Sequence, residues 1–171
     1  MKVFIGKYPK KADREQKIKV QIDPWDTWSM DNTLAHIIAP MLKQLKATQH
    51  GAPNVDAEDV PEELRKPELV GEYDVDENHF KRWEYVLDEM IFAFESKLND
   101  WEEQFWKVKP EIDWNDPFET GKIMDGFSKV DVSPLKWKTE GECDWDARTA
   151  YQARISNGFR LFGKYYEGLW D

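Results

Sequence analysis

The chain has a single cysteine in 171 residues, Cys143, so no internal disulfide can form. A disulfide-stapled secreted scaffold is excluded, and a reducing cytosol is the expected setting. No apolar run approaches the roughly 20 residues a spanning helix needs. The opening MKVFIGKYPKK also lacks an apolar signal core. No membrane association is expected. An excess of positive charge is missing as well: the net charge is −10. Duplex nucleic acid is bound by neutralising many phosphates, so that class is disfavoured. No catalytic motif is present, and no cofactor or metal is expected.

What the chain does have is 40% hydrophobic and 34% charged residues, the balance of a soluble globular fold. Its length fits one domain with a real core. Nine Trp, nine Phe and six Tyr exceed what a small core needs, and such rings suit interfaces and stacking pockets. A homo-oligomer is therefore expected. Charge is uneven along the chain. Residues 1–50 carry nine Lys and Arg against five acids, residues 51–116 seven against 20, and residues 117–171 eight against nine. A small anionic ligand could lie between the less acidic ends.

The pattern predicts a mainly α (α+β) fold, with three long amphipathic helices around one core and a small N-terminal β-hairpin. Residues 1–24 hold the hairpin, with strands over 2–8 and 17–22 that alternate with period two. A basic loop of Lys10, Lys11, Arg14 and Lys17 joins them. Residues 25–49 read as a helix with stripe Met30, Leu34, Ile37, Ile38, Met41 and Leu45. Thr27 or Ser29 would cap it, and Pro40 sits inside it. Residues 50–77 form an acidic connector in which Asp59 reads as the cap of a short turn. Asp74, Asp76 and Asn78 resemble the start of a calcium loop. His79 and Tyr85 stand where that loop needs Gly and Glu.

The organising element is predicted over residues 78–106 as one long helix capped by Asn78. Its apolar positions are Phe80, Trp83, Leu87, Met90, Ile91, Phe94, Leu98, Trp101 and Phe105, at steps of three and four. Glu84, Asp88, Glu95 and Glu102 run beside this stripe. They read as salt bridges to another helix, or as the acids of a metal-dependent hydrolase that uses Glu84, Asp88 and a histidine. Residues 107–143 read as irregular, with strand pieces near Ser128–Val132 and Leu135–Lys138. Residues 144–171 close the chain as a helix with stripe Tyr151, Ile155, Phe159, Phe162, Tyr166 and Leu169. Gly158, Gly163 and Gly168 each weaken an open helix by about 1 kcal/mol, so their repetition predicts close approach of another backbone or ligand.

From Ala147 to Tyr166 this helix carries four cations and no acid. Arg supplies a bidentate fork for phosphate, so Arg154, Asn157, Arg160 and Lys164 form a candidate anion site. Trp28 would add a stacking face and His36 a polar contact. The alternative for the basic face is a partner to the acidic stripe of the long helix.

The stretches DPWDTWSMDNTLAHIIAPMLKQLK, HGAPNVDAEDVPEEL, HFKRWEYVLDEMIFAFE and NGFRLFGKYYEGLWD resemble a widespread family of small tailed-bacteriophage proteins. The resemblance covers the chain except about residues 107–143. It implies expression in the cytoplasm of an infected bacterium and an accessory role, and it brings no assigned functional residues. Among such phage proteins are the anti-CBASS-type sponges that sequester nucleotide immune signals of the host. The resulting expectation is a non-enzymatic protein that holds a small anionic ligand, with a cyclic nucleotide as leading candidate, and does not cleave it. The alternative is a protein–protein inhibitor of a host enzyme that acts through the acidic 51–77 surface.

Overall fold

A computed structural model describes residues 1–7, 9, 14–66, 75–114 and 137–170. The fold is mainly α with some β, as the periodicity predicts. Two compact units are present: Met1–Asn99 with Ile155–Asp171, and Asp100–Arg154.

The first unit starts with β1 (Lys2–Ile5) and β2 (Ile18–Gln21), an antiparallel pair with Val3 opposite Val20 and Ile5 opposite Ile18. A 3-10 turn, Pro24–Thr27, leads into α1 (Met30–Thr48). Two more 3-10 turns, Ala57–Asp59 and Glu62–Leu64, precede α2 (His79–Ser96). The calcium-loop resemblance begins at Asp74, which lies outside the described residues, as do Lys10 and Lys11 of the hairpin loop.

The second unit holds a 3-10 turn, Trp101–Phe105, and four short strands: β3 (Trp106–Val108), β4 (Glu111–Ile112), β5 (Trp137–Thr139) and β6 (Glu142–Cys143). β3 pairs with β6 and β4 with β5, both antiparallel. The strand piece expected at Ser128–Val132 lies outside the described residues. The one expected at Leu135–Lys138 overlaps β5. α3 (Trp145–Lys164) starts in this unit, capped where Ala147 N–H donates to Asp144 Oδ1 at 3.0 Å, and from Ile155 belongs to the first.

The predicted helix over 78–106 is corrected: α2 ends at Ser96. Asn99 Nδ2 donates to the Glu95 carbonyl at 2.8 Å, so a side chain takes the acceptor that Asn99 N–H would use in a continuing helix. Leu98 N–H closes back on Glu95 O, a three-residue step. The apolar spacing runs through this break because Trp101 and Phe105 serve the second unit, where both rings pack on Tyr151. Asn78 does occupy the N-cap position of α2, but its side-chain oxygen accepts from Lys81 Nζ instead of a backbone N–H.

The core of the first unit centres on Trp83, Val86, Leu87 and Met90 of α2, all fully buried. On the flanking helices the predicted stripes hold in part, with Ile155 buried and Ile38, Leu45, Phe159, Phe162 and Leu169 packed against the core, but the most buried line is shifted from them. α1 buries Ala35, Ala39 and Leu42 and leaves Met30, Leu34 and Met41 exposed. α3 buries Ile155, Gly158 and Leu161, followed by Tyr165 just past its end. Small residues mark the closest approach of two helices. A stripe chosen by side-chain size is displaced from that line.

Candidate functional site

Sequence and fold meet where α3 faces the connector. Arg160 and Lys164 stand one turn apart, and neither faces the acidic stripe of α2. Asp88 of that stripe pairs with Lys46, and Glu95 with Lys43, both from α1. The partners of the α3 cations are Asp56, Glu58 and Asp59. This corrects the expected match between the basic face and the acidic stripe for Arg160 and Lys164; the match does hold for Arg148, whose Nη2 donates to Glu102 of that stripe at 2.5 Å.

Asp59 is the hub. Its side chain is fully buried and receives three donors: Arg160 Nη2 on Oδ1 at 2.5 Å, with Tyr165 O–H and Lys164 Nζ on Oδ2, each at 2.6 Å. Tyr165 in turn accepts the Asp56 N–H at 3.0 Å. Lys164 Nζ also meets Asp56 at 2.7 Å and Glu58 at 3.0 Å. Asn157 Oδ1 accepts from Arg160 at 2.8–3.0 Å and fixes its guanidinium. Asp59 was expected to cap a short turn. It instead ends the Ala57–Asp59 turn and sends its carboxylate to α3.

These contacts set the electrostatics. Burial pushes the Asp59 carboxyl up, but hydrogen bonds from Lys164, Tyr165 and Arg160 together outweigh it and hold the acid below its ordinary range. The same burial, reinforced by Asp59, pushes the Tyr165 phenol up to about 12. Asp56 and then Asp59 raise Lys164 far above the usual lysine range. The three carboxylates offer oxygens within 4.8 Å of one another, a spacing a divalent ion could use. The Lys164 ammonium reaches all three, so an ion would have to displace it.

Asp59→Asn should therefore cost about 1.5–3 kcal/mol, the worth of charged hydrogen bonds lost from a buried acceptor. Because the folded acid is the stronger one, its stabilisation is present above about pH 3.9, the unfolded value. It is lost as pH falls through the lower folded value. Urea melts between pH 2 and 7 should show a shallower acid decline in the Asn variant. An identical decline would remove Asp59 from the account.

The predicted site residues divide. Asn157, Arg160 and Lys164 come together. Arg154 lies in the second unit, six residues earlier on α3. Trp28 is 83% exposed and packs on Trp25, with ring centroids 6.4 Å apart. His36 is exposed on α1. Of the hydrolase candidates, Glu84 is exposed and Asp88 is held by Lys46 at 2.5 Å.

A second feature was missed by sequence reasoning. α1 and the C-terminal segment of the first unit enclose an open groove of about 680 Å³. One wall is Ile38, Met41, Leu42 and Leu45. The other is Phe162, Tyr166, Leu169 and Trp170. Met41, Tyr166 and Trp170 form a largely exposed rim over the buried Leu42. The signal available was that Met41 and Tyr166 lie at the edges of two predicted stripes, where a residue is as readily a rim as a core position.

No family model, curated protein or solved structure matches the chain.

Proposed function

We propose that this protein works by holding a small ligand without transforming it, and that the ligand's apolar, ring-bearing part sits in the groove between α1 and the C-terminal segment. The groove is the observation that carries this reading. Its volume falls within the roughly 300–1,000 Å³ typical of small-molecule sites, and its lining is aliphatic and aromatic. Three rings supply flat contact area at little conformational cost. In the infected cell that the sequence resemblance implies, removing a host small molecule by binding is an accessory role that needs no catalytic group.

A second reading keeps the anionic ligand, with a cyclic nucleotide as candidate. The clustering of Asn157, Arg160 and Lys164, with Arg160 about half exposed, favours it. Its cost is also defined: phosphate must displace carboxylates that already satisfy both cations.

One experiment separates the two. The neutral fluorophore N-phenyl-1-naphthylamine and a panel of cyclic di- and trinucleotides are titrated against the wild type, Met41→Glu and Arg160→Ala. The groove reading expects saturable fluorophore binding that weakens about tenfold or more in Met41→Glu, where a charge replaces an apolar wall, and holds in Arg160→Ala. The anion reading expects a nucleotide to stabilise the fold by about 2.7 kcal/mol at a hundred times its Kd, with the effect reduced in Arg160→Ala. Absence of saturable fluorophore binding defeats the first reading. A nucleotide recovered as a cleaved product after heat release defeats both.

A further inference from the structure

Three of the four residues on one groove wall lie past the end of α3, which stops at Lys164. Tyr166, Leu169 and Trp170 follow on a 3-10 turn, Tyr166–Gly168. Gly168 N–H donates to Tyr165 O at 2.9 Å and Leu169 N–H to Tyr166 O at 3.3 Å. One such turn is a weak support, since its hydrogen-bond geometry is poorer than that of an α-helix. Burial adds little for two of the three, because Tyr166 and Trp170 are 65% and 61% exposed. The connector does more. Tyr165 O–H donates to Asp59 Oδ2 at 2.6 Å, and the same hydroxyl accepts the Asp56 N–H at 3.0 Å. A Cβ on Gly168 would stand 3.1 Å from the Pro53 ring, and one on Gly51 would stand 3.6 Å from the Trp170 ring. Residues 51–59 and 165–170 thus run side by side in opposite directions, in contact at both ends and in the middle.

Resting on the groove reading above, we infer that the Tyr165 hydroxyl is a latch between connector and groove. It positions the wall of Tyr166, Leu169 and Trp170, and ligand in the groove tightens it in return. Tyr165 and Asp59 are then positioning residues. Neither lines the groove, and both act through the segment that follows Tyr165. Chemistry sets this contact apart from the others between the two segments. The Asp59 side chain is fully buried and Tyr165 is 8% exposed, so water does not compete for the bond. Its acceptor is an ionised carboxylate, which places it among the stronger hydrogen bonds. The Tyr165 ring is itself fixed, edge-on to the buried Trp83 with centroids 6.0 Å apart. The hydroxyl is therefore a post on the core to which the connector is tied. Removing it takes that acceptor from the Asp56 N–H and lets the connector draw Pro53 and Gly51 away from the wall. Such a coupling is reciprocal: whatever factor the latch adds to ligand affinity, bound ligand must add to the closed latch.

Two readouts on the full chain test the latch: affinity for N-phenyl-1-naphthylamine, and hydrogen exchange of the Asp56 amide with and without saturating fluorophore. Tyr165→Phe deletes the hydroxyl and keeps the ring against Trp83. Gly168→Ala leaves Asp59 and Tyr165 intact and presses the wall off Pro53. The expected result is saturable binding by the wild type, weakened about tenfold in Tyr165→Phe, as fits the loss of one hydrogen bond to a charged group. Gly168→Ala should weaken it as well. Fluorophore should slow Asp56 exchange in the wild type by a similar factor, about tenfold. It should leave Val20 of β2 unchanged and have no effect on Asp56 in Tyr165→Phe. A tyrosine that only supports the fold would not give the Asp56 amide this dependence on ligand. Equal affinity of the wild type and Tyr165→Phe overturns the latch and leaves the groove reading standing. So does Asp56 exchange that ignores the fluorophore. A wild type without saturable binding defeats the groove reading, and the latch with it. If Tyr165→Phe shows no cooperative melt, Gly168→Ala decides, and unchanged affinity in that variant overturns the latch.

Discussion

Arg82→Ala should destabilise the first unit by about 3–5 kcal/mol, the cost of leaving one member of a buried ion pair alone. Arg82 lies on α2, and its guanidinium grips Asp76 with two parallel bonds, Nη1 to Oδ1 at 3.0 Å and Nη2 to Oδ2 at 2.9 Å. Nη1 also donates to the Leu64 carbonyl at 3.0 Å. Both side chains are at most 8% exposed, so water cannot replace what the truncation removes. The guanidinium holds Asp76 well below the ordinary carboxylate range, against the opposing effect of burial. Asp76 therefore stabilises the fold above about pH 3.9, and this contribution is lost as pH falls through its lower folded value. Arg82→Lys should recover only part of the loss, because an ammonium cannot reproduce the fork. Urea melts of Arg82→Met, Asp76→Leu and Arg82→Met/Asp76→Leu complete a double-mutant cycle. The double variant should be less destabilised than Arg82→Ala, since no charge is left unpaired. A loss below about 1 kcal/mol for Arg82→Ala would mean that the pair is solvated.

Gly158→Ala is expected to cost about 3 kcal/mol, near the top of the overpacking range. A Cβ at this position would stand 2.3 Å from the Glu89 carbonyl oxygen and 2.5 Å from Ala93 Cβ. The nearest obstacle is the backbone of α2, which cannot swing aside as a side-chain end can. In the same helix Gly163→Ala should do the opposite. Among the described residues nothing beyond its own turn of helix lies within 4 Å of a Cβ there, so the helix gains up to about 1 kcal/mol. At the roughly 2–4 °C per kcal/mol of a chain this long, the first variant melts about 6–12 °C lower and the second a few degrees higher. Equal shifts of the same sign would contradict the helix contact described here.

These glycines illustrate what was legible in the sequence. Repetition at 158, 163 and 168 pointed to close approach. That is true of Gly158 against α2 and of Gly168 against Pro53, whose ring lies 3.1 Å from where a Cβ would stand. Gly163 has no such neighbour, because spacing cannot say which face of a helix meets a partner. The stripe through Trp83, Leu87, Met90 and Phe94 was readable because large apolar residues at helical spacing have one cheap place to go. The break after Ser96 was hidden, since Trp101 and Phe105 kept the spacing while serving other neighbours. The candidate site shows the same division. The α3 cations were visible as a cluster in one dimension. Their partners, Asp56, Glu58 and Asp59, lie about 100 residues away and were read as a separate surface. Long-range ion pairing leaves no periodic trace. Asp56, Glu58 and Asp59 of the connector and Arg160 and Lys164 of the helix are two halves of one contact, in which the Asp59 side chain is fully buried.

The central claim is that ligand enters the groove and not the Arg160–Lys164 cluster. It is tested most directly by NMR of protein labelled at the methionine methyls and the tryptophan indole N–H groups, titrated with N-phenyl-1-naphthylamine. Met41 and Trp170 line the groove, Met90 is sealed in the core, and Trp25 and Trp28 precede α1. The Met41 and Trp170 signals are expected to move together along one binding curve while those of Met90, Trp25 and Trp28 stay in place. Movement of Trp25 and Trp28 with Trp170 unmoved, or no saturable movement of Met41, would contradict it.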